Sequence, residues 1–426
     1  MIRADFLVHR ARQLHTCAGP APRVGAAQRE TRPVEDGALA ALEGRIVFVG
    51  STQYAEQALM LKPGATVIDA SGLTVTPGFV DSHTHFVYAG DRRDELRRRL
   101  AGESYDQIAA AGGGIVATVR ATRAATEDDL LEQSSRRLRE MLAAGTTMAE
   151  VKSGYGLDTE TELKMLRVVR RLHAGGPVDL AATFMGAHEV PVEYRSDRRR
   201  YIRLLVDEMI PAVASENLAE WCDVFCEKGV YAPAEAREIL LAAAKAGLRP
   251  RIHADELAPS GGSEVAAEVG ARSADHLLFA DEAAADRLAR AGVVATLLPV
   301  AAFYLKMGRF APARMLIERG VAVALATDVN PGAGLSPSMP FAMTLGCFMM
   351  GMTVEETLVA ATINGAYALD RHGVAGSLEE GKQADLLVVD GDLVDLLRVG
   401  TAALRTVVKK GRVVWERQRG RTAHSC

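Results

Sequence analysis

The chain has 426 residues, of which 48% are apolar and 24% are charged, a balance typical of a folded globular protein. It carries 50 lysine and arginine residues against 54 acidic ones, and this formal net charge of −4 predicts no nucleic-acid partner. No run approaches the roughly 20 apolar residues of a membrane span, and no signal-peptide pattern opens the chain. Five scattered cysteines suit a reducing compartment, so we expect a cytoplasmic protein.

Short β-like runs lie at both ends of the chain and predict one small β-sandwich built from both. These runs are residues 6–8, 44–50, 65–70, 385–390 and 406–415. A stretch rich in Gly and Pro at residues 17–37 is expected to be an exposed loop. We therefore predict a sandwich of residues 1–76 and 376–426, which encloses a middle domain of residues 77–375.

The middle of the chain alternates strand-like and helical patterns, as expected of an α/β protein. Eight strand-like runs, each followed by helical material, fall at residues 79–85, 147–152, 180–185, 223–226, 250–253, 273–277, 293–298 and 321–327. Thr126 and Asp129 have the spacing of a capping box, which predicts a helix start, and Gly145 predicts its end. Eight βα units favour a (β/α)8 barrel of the TIM type. An open doubly wound sheet is the alternative, but no Gly-x-Gly-x-x-Gly follows an early strand.

The pair His83-Thr84-His85 closes the first predicted strand. Side chains alternate along a strand, so both imidazoles point to one face and can share a metal ion. Two surface histidines on an edge strand would show the same spacing. The residues at the ends of the other predicted strands distinguish a metal-binding pair from a surface pair.

Polar side chains also follow the C-terminal ends of other predicted strands, where barrel enzymes place their active sites. They are Glu150, Lys152, Tyr155, His188, Glu189, His253, Asp255, Glu256, Asp275, His276, Asp328 and Asn330. Several histidines with a carboxylate favour Zn²⁺ or Fe²⁺ over Mg²⁺ or Ca²⁺. Such an ion lowers the pKa of bound water to about 7, so hydroxide becomes available at neutral pH. Asp328 or Glu256 would accept the proton.

Lys152 leaves the number of metal ions open. A carboxylated lysine at this position would bridge a second ion, as in some binuclear enzymes. The segment Ser153-Gly154-Tyr155-Gly156 that follows it has the character of a turn into a binding loop, which favours one ion.

These segments resemble the amidohydrolase superfamily and, within it, the imidazolonepropionase family. The pair of histidines together with Asp328 is specific to the superfamily only. The segments Lys152–Gly156 and Gly186–Glu189, read as Lys-Ser-Gly-Tyr-Gly and Gly-Ala-His-Glu, are much more specific. The resembling stretches cover nearly the whole predicted barrel.

The resemblance implies one zinc or iron ion per subunit, bound by His83, His85, His253 and Asp328. It implies hydrolysis of the ring amide of 4-imidazolone-5-propanoate to N-formimidoyl-L-glutamate, a step of histidine degradation, in a homodimer. The catalytic residues that the resemblance implies are Glu256, His276 and Asp328. The substrate-binding residues that it implies are Arg92, Tyr155, His188, Glu256, Asn330 and Gly332. A planar guanidinium such as that of Arg92 is the natural bidentate partner of a propionate carboxylate.

One segment departs from the family pattern, because Ala333-Gly334-Leu335 intervene between Gly332 and Ser336-Pro337. A substrate contact near position 333 is therefore open, with Ser336 as an alternative. Two rival functions also stay open. One is another amidohydrolase reaction, such as deamination of a ring or cleavage of an acyl-amino acid. The other is a non-catalytic scaffold, which the complete set of matched metal positions disfavours.

Overall fold

The computed structural model describes residues 1–103, 107, 111–400 and 403–418. In chain order the strands are β1 (Ile2–His15), β2 (Pro33–Leu42), β3 (Arg45–Ser51), β4 (Leu59–Asp69), β5 (Leu73–Pro77), β6 (Phe79–Asp81), β7 (Thr146–Lys152), β8 (Asp179–Ala187), β9 (Trp221–Cys226), β10 (Arg249–Ala254), β11 (Ser273–His276), β12 (Val294–Leu297), β13 (Val323–Leu325), β14 (Leu386–Asp390), β15 (Leu404–Lys409) and β16 (Arg412–Glu416). The longer helices are α1 (Arg93–Leu100), α2 (Ile115–Ala124), α3 (Glu127–Ala143), α4 (Thr159–Gly175), α5 (Pro233–Lys245), α6 (Glu282–Ala291) and α7 (Met339–Met350).

The two ends of the chain together build a separate β-domain, as predicted for the small sandwich, and its strands belong to one mixed sheet. Its strand order is β16-β15-β14-β5-β1-β2-β3, with β4 paired to β1. The antiparallel pairing of β5 with β14 joins the N-terminal to the C-terminal part. Alternate residues of these strands, including Phe6, Leu39 and Val388, form an apolar core of their own. The domain bounds at residues 76 and 376 stay a prediction.

The middle of the chain forms eight parallel strands in the order β13-β12-β11-β10-β9-β8-β7-β6, which confirms the predicted barrel class. The first and eighth strands are joined by a side chain, because the Asp81 carboxylate accepts hydrogen bonds from Thr327 N at 2.9 Å and Thr327 Oγ1 at 2.6 Å. The predicted bounds of the first strand were wrong, since β6 ends at Asp81. His83 and His85 lie in the segment that continues it.

The helices cover the outside of this sheet. Helix α3 begins with the predicted capping box, in which Thr126 and Asp129 bond each other's backbone N–H groups. Gly145 follows its end with a φ of +96°, a conformation that favours glycine. The helical material that follows β8 includes two α-helical pieces, Arg198–Leu204 and Ile210–Ser215, around a π-helical turn, Leu205–Met209. No described helix has the length and apolar character needed to cross a bilayer.

The stretch at residues 17–37 differs from the exposed loop that we expected. Strand β2 already begins at Pro33, and the Gln28 side chain is fully buried. Its amide donates to Val323 O at 2.8 Å and accepts from Val323 N at 3.2 Å. Gln28 thereby satisfies the backbone at the start of β13. A polar composition predicted exposure here, whereas the side chain completes a buried hydrogen-bond network.

Candidate metal centre and substrate cavity

Three imidazole nitrogens and one carboxylate oxygen converge at the C-terminal ends of the barrel strands. His85 Nε2 lies 3.2 Å from His83 Nε2 and 3.3 Å from His253 Nε2. Asp328 Oδ1 lies 3.7 Å from the Nε2 atoms of both His83 and His85. Nitrogens about 2.05 Å from a tetrahedral zinc ion would be about 3.3 Å apart. The donor atoms and their spacing therefore fit one metal ion, as the predicted ligand set requires.

Backbone hydrogen bonds bring these residues together. Asp328 N donates to His83 O at 3.0 Å, and His85 N donates to Val329 O at 2.9 Å. On the other side, Lys152 N donates to Thr84 O at 2.9 Å. The segment that carries both histidines is thus held between the ends of β7 and β13. Asp328 has a φ of +51°, so its backbone is in the left-handed region that non-glycine residues adopt uncommonly and that aspartate tolerates better than most.

Two buried aspartates orient the histidines. The Nδ1 of His83 lies 2.6 Å from Asp275 Oδ2, and the Nδ1 of His253 lies 2.8 Å from Asp223 Oδ1. Each carboxylate accepts an N–H on one side of its ring, which leaves the Nε2 lone pair toward the centre. Burial lowers the pKa of His83 well below its ordinary value, so its ring is neutral. Sequence reasoning assigned no role to Asp223, although a charged residue inside the apolar run Trp221–Cys226 was a signal.

The Lys152 ammonium is occupied by carboxylates. Its Nζ lies 2.7 Å from Glu150 Oε1 and 2.8 Å from Asp223 Oδ2, and all three side chains are fully buried. Nearby carboxylates raise the pKa of Lys152 against the effect of burial, so the amine stays protonated. A protonated amine is not a nucleophile toward carbon dioxide. This contact supports a centre with one ion.

A cavity of about 550 Å³ opens beside the convergent donors. Its lining includes every predicted substrate-binding residue: Arg92, Tyr155, His188, Glu256, Asn330 and Gly332. His85, His253, His276 and Asp328 line the same cavity. A small molecule held there would contact the donor group and the Arg92 guanidinium at once.

The Arg92 guanidinium is fixed on one side and faces a glycine on another. Its Nη2 lies 2.7 Å from Glu95 Oε2, and the pair is about nine-tenths buried. The second oxygen of Glu95 accepts from Gly114 N at 2.8 Å, so Glu95 joins Arg92 to the three-glycine segment 112–114. A Cβ atom at Gly332 would lie 2.2 Å from Arg92 Nη1. Gly332 therefore provides the space that the guanidinium occupies.

His188 and Tyr155 form one wall of the cavity. The Nδ1–H of His188 donates to Gly154 O at 3.0 Å, and its ring stacks on that of His85 with centroids 5.1 Å apart. Burial lowers the pKa of His188 to about 3, so its ring is neutral. The rings of Tyr155 and His188 have centroids 5.3 Å apart. This wall offers flat surfaces to a planar ring.

Glu256 and His276 form the opposite pair of polar groups, with Glu256 Oε1 3.5 Å from His276 Nδ1. Burial, and then repulsion by Glu227, raises the pKa of Glu256 to about 8. Glu227 is itself buried, and it accepts from Glu256 N at 3.0 Å and Leu257 N at 2.8 Å. Sequence reasoning missed Glu227. The structure thus supplies a carboxyl group that exchanges a proton near neutral pH.

Hydrogen bonds from Asn330 to the backbone hold the loop after β13. Asn330 donates through Nδ2 to Asp328 O at 2.7 Å and accepts at Oδ1 from Gly332 N at 2.8 Å. Asn330 N also donates to Gly334 O at 2.9 Å, inside the segment that departs from the family pattern. Ala333 lines the substrate cavity, whereas Ser336 lines a different one. Ser336 is therefore not placed to replace a contact at position 333.

Sequence comparison assigns the chain to a family. The profile described as the amidohydrolase family matches residues 74–414. An imidazolonepropionase of Alkaliphilus metalliredigens is 47% identical over 418 residues, which are 97% of this chain and 99% of the relative. One of Geobacillus kaustophilus is 49% identical over 414 residues, 96% of this chain and 97% of the relative. The chain belongs to the imidazolonepropionase family. This membership confirms the resemblance found from the motifs.

Solved structures with the same fold share a lower sequence identity with the chain than these two relatives do. An adenosine deaminase from Xanthomonas campestris with bound zinc has a TM-score of 0.69 at 20% identity, covering 97% of this chain and 93% of its own. The guanine deaminase of E. coli has a TM-score of 0.70 at 17% identity, covering 97% and 99%. At these identities the likeness shows the fold alone.

Proposed function

We propose that the protein hydrolyses the ring amide of 4-imidazolone-5-propanoate and releases N-formimidoyl-L-glutamate. The observation that carries this proposal is the 47% and 49% identity, over nearly the whole chain, to two imidazolonepropionases. The cavity agrees with it, because it joins a metal-binding group of side chains to a buried guanidinium. A substrate with a hydrolysable ring at one end and a carboxylate at the other requires both.

The ligands that we propose are His83, His85, His253 and Asp328, and the ion is zinc or iron. Neutral imidazole and carboxylate suit both metals. When bound there, such an ion acts as a Lewis acid and makes water nucleophilic at neutral pH. Asp223 and Asp275 orient two of the rings from behind through Nδ1.

Arg92 is proposed to bind the propionate. Its guanidinium offers parallel N–H groups to a carboxylate, and the low exposure of the site strengthens that pair. His188 and Tyr155 border the ring of the substrate, and Asn330 and Gly332 border the product end. These contacts orient the ring carbonyl toward the convergent histidines and His276.

The proposed reaction adds water to the ring carbonyl carbon and breaks its bond to the ring nitrogen. His276 is neutral because burial lowers its pKa well below the ordinary value, and it donates a hydrogen bond to the developing oxyanion. Glu256 or Asp328 accepts the proton that water loses and delivers it to the leaving nitrogen. Burial raises the pKa of Glu256 to about 8, which suits a carboxyl group that takes up and releases a proton near neutral pH.

Elemental analysis of the purified protein, combined with a turnover assay on 4-imidazolone-5-propanoate, tests this function. We expect one zinc or iron per chain and formation of N-formimidoyl-L-glutamate. A protein that binds neither metal, or a metal-loaded protein that leaves the substrate unchanged, would refute the proposal. The first result alone would favour a scaffold, and the second alone would favour another amidohydrolase reaction.

We also propose a cytoplasmic homodimer, which the family resemblance supports. The cysteines in the described ranges, Cys17, Cys222, Cys226 and Cys347, are free thiols, in keeping with a reducing compartment. Sedimentation analysis at micromolar concentration tests the dimer, and a monomer at all concentrations would contradict it. Cell fractionation tests the location.

A further inference from the structure

Five charged side chains form a buried cluster on the Nδ1 side of the histidines. They are Glu150, Lys152, Asp223, Arg251 and Asp275, and none of their side chains is exposed to solvent. Two cations stand against three carboxylates, so the cluster has one excess negative charge. Buried charges cost desolvation free energy that apolar residues of similar volume would avoid. The cluster therefore calls for a role beyond the stability of the barrel.

Lys152 lies between the two carboxylates that orient the histidines. Its Nζ is 2.8 Å from Asp223 Oδ2 and 3.8 Å from Asp275 Oδ2. The other oxygen of Asp223 accepts from His253, and Asp275 Oδ2 accepts from His83. One ammonium thus contacts both aspartates that bond the proposed histidine ligands, Asp223 on β9 and Asp275 on β11.

We propose that Lys152 is a positioning residue of the metal centre, acting through Asp223 and Asp275 without touching the ion or the substrate. This inference rests on the proposed metal-dependent function. The ammonium holds both carboxylates in place, so each accepts an Nδ1–H and leaves Nε2 free to ligate. Without it, the buried carboxylates would repel one another, and one would turn away from its histidine. The histidine that it supports would then lose its orientation.

A second buried lysine in the same chain provides a matched control. Lys409 Nζ lies 2.7 Å from Asp179 Oδ2 and 2.6 Å from Asp385 Oδ2, and its side chain is 4% exposed. It stands on β15, in the sheet built from the chain ends. Lys409→Met removes an ammonium from between two carboxylates, as Lys152→Met does, but away from the histidines. A purely structural role predicts that the two variants behave alike.

The experiment compares the native holoenzyme, Lys152→Met and Lys409→Met in three measurements. These are the Kd for Zn²⁺ by chelator competition, the visible absorption spectrum of the Co²⁺-substituted protein, and the Tm. We expect both variants to lower the Tm. We expect only Lys152→Met to raise the Kd for Zn²⁺ by about 10- to 100-fold and to change the Co²⁺ spectrum.

Native values of Kd and spectrum in Lys152→Met would overturn the inference, as would equal changes in Lys409→Met. If Lys152→Met does not fold, the polar and uncharged Lys152→Gln takes its place, with the same expected direction and the same grounds for rejection. A native protein that binds neither Zn²⁺ nor Fe²⁺ would instead refute the proposed function. A native protein that binds metal and turns over substrate, with Lys152→Met unchanged in Kd and spectrum, would refute only the role of Lys152.

Discussion

Gly332→Ala tests how Arg92 is placed, because the methyl group would occupy the space of the guanidinium. The new Cβ would lie 2.2 Å from Nη1, while ordinary contact begins at 3.4 Å, so Nη1 must move by about 1.2 Å. The obstacle is the far end of a flexible side chain, and we expect the fold to survive. The arginine, however, can no longer keep its position toward the substrate.

The size of the effect follows from this displacement. A hydrogen bond of about 2.9 Å that is stretched by this amount exceeds bonding distance. A hydrogen bond to a charged group contributes about 1.5–3 kcal/mol. Loss of one such bond to the propionate corresponds to a roughly 10- to 150-fold lower kcat/KM. We expect most of this loss to appear as a higher KM, with a Tm close to the native value.

Steady-state kinetics with 4-imidazolone-5-propanoate and with an analogue that lacks the carboxylate measure this effect. Gly373→Ala is the matched control, because a Cβ at Gly373 meets no atom within 4 Å. Arg92→Ala combined with Gly332→Ala closes a double-mutant cycle, in which the glycine change should add little once the guanidinium is gone. Native kinetics in Gly332→Ala, or an equal loss with the neutral analogue, would refute the reasoning.

Three other predictions concern the guanidinium, a carboxyl group and the ion. Arg92→Ala should lower kcat/KM for the propionate substrate by at least about 100-fold and leave kcat/KM for the neutral analogue unaffected. The Arg93 side chain is 76% exposed, so Arg93→Ala should leave kcat/KM for both compounds unchanged. Equal losses in the two variants would contradict this prediction. The pKa of Glu256 is raised to about 8, so the folded protein holds a proton that the unfolded chain lacks above about pH 4.5, and stability falls as pH rises through this window. Denaturant unfolding should therefore show Glu256→Gln gaining stability relative to the native protein from pH 5 to 8, and a constant difference would count against the raised pKa. Removal of the metal by a chelator should lower the Tm, and readdition should restore it. An ion that binds only the folded state stabilises that state by about 4 kcal/mol when the free ion concentration is 1,000 times the Kd. A Tm that chelation does not change would argue against the proposed metal centre.

The fold class followed from regularities that lie close together in the sequence. Alternating strand and helix patterns gave eight βα units, and the capping box at Thr126 marked one helix start correctly. Element ends were less secure, because they depend on contacts that the local sequence does not contain. Strand β6 ends at Asp81, and the carboxylate of Asp81 bonds Thr327, which is 246 residues away in the chain. Gln28 is buried for the same kind of reason.

The sequence predicted the residues that face the candidate site, but not the buried carboxylates that hold those residues in position. Histidines and carboxylates at strand ends stand out, because few charged groups follow apolar strands by chance. Asp223 is a visible signal, as a charged residue inside an apolar run, but the sequence does not show its partner. Glu227 and Glu95 do not stand out, since a single acid after a strand or on a helix is common. Their importance appears only when Nδ1 of His253, the backbone of Glu256 and the guanidinium of Arg92 are found against them.

Closure of the barrel and assembly of the proposed centre depend on one set of hydrogen bonds. Asp81 holds Thr327, and the next residue, Asp328, donates through its backbone to His83 O. The step that brings β13 beside β6 thus also brings the carboxylate of Asp328 to the two histidines. A change that loosens this junction should weaken metal binding before it unfolds the barrel, because the seven strand pairings from β6 to β13 do not depend on it. The separation of the ligands in sequence is therefore no obstacle to a well-ordered centre, since the junction that orders them also closes the fold.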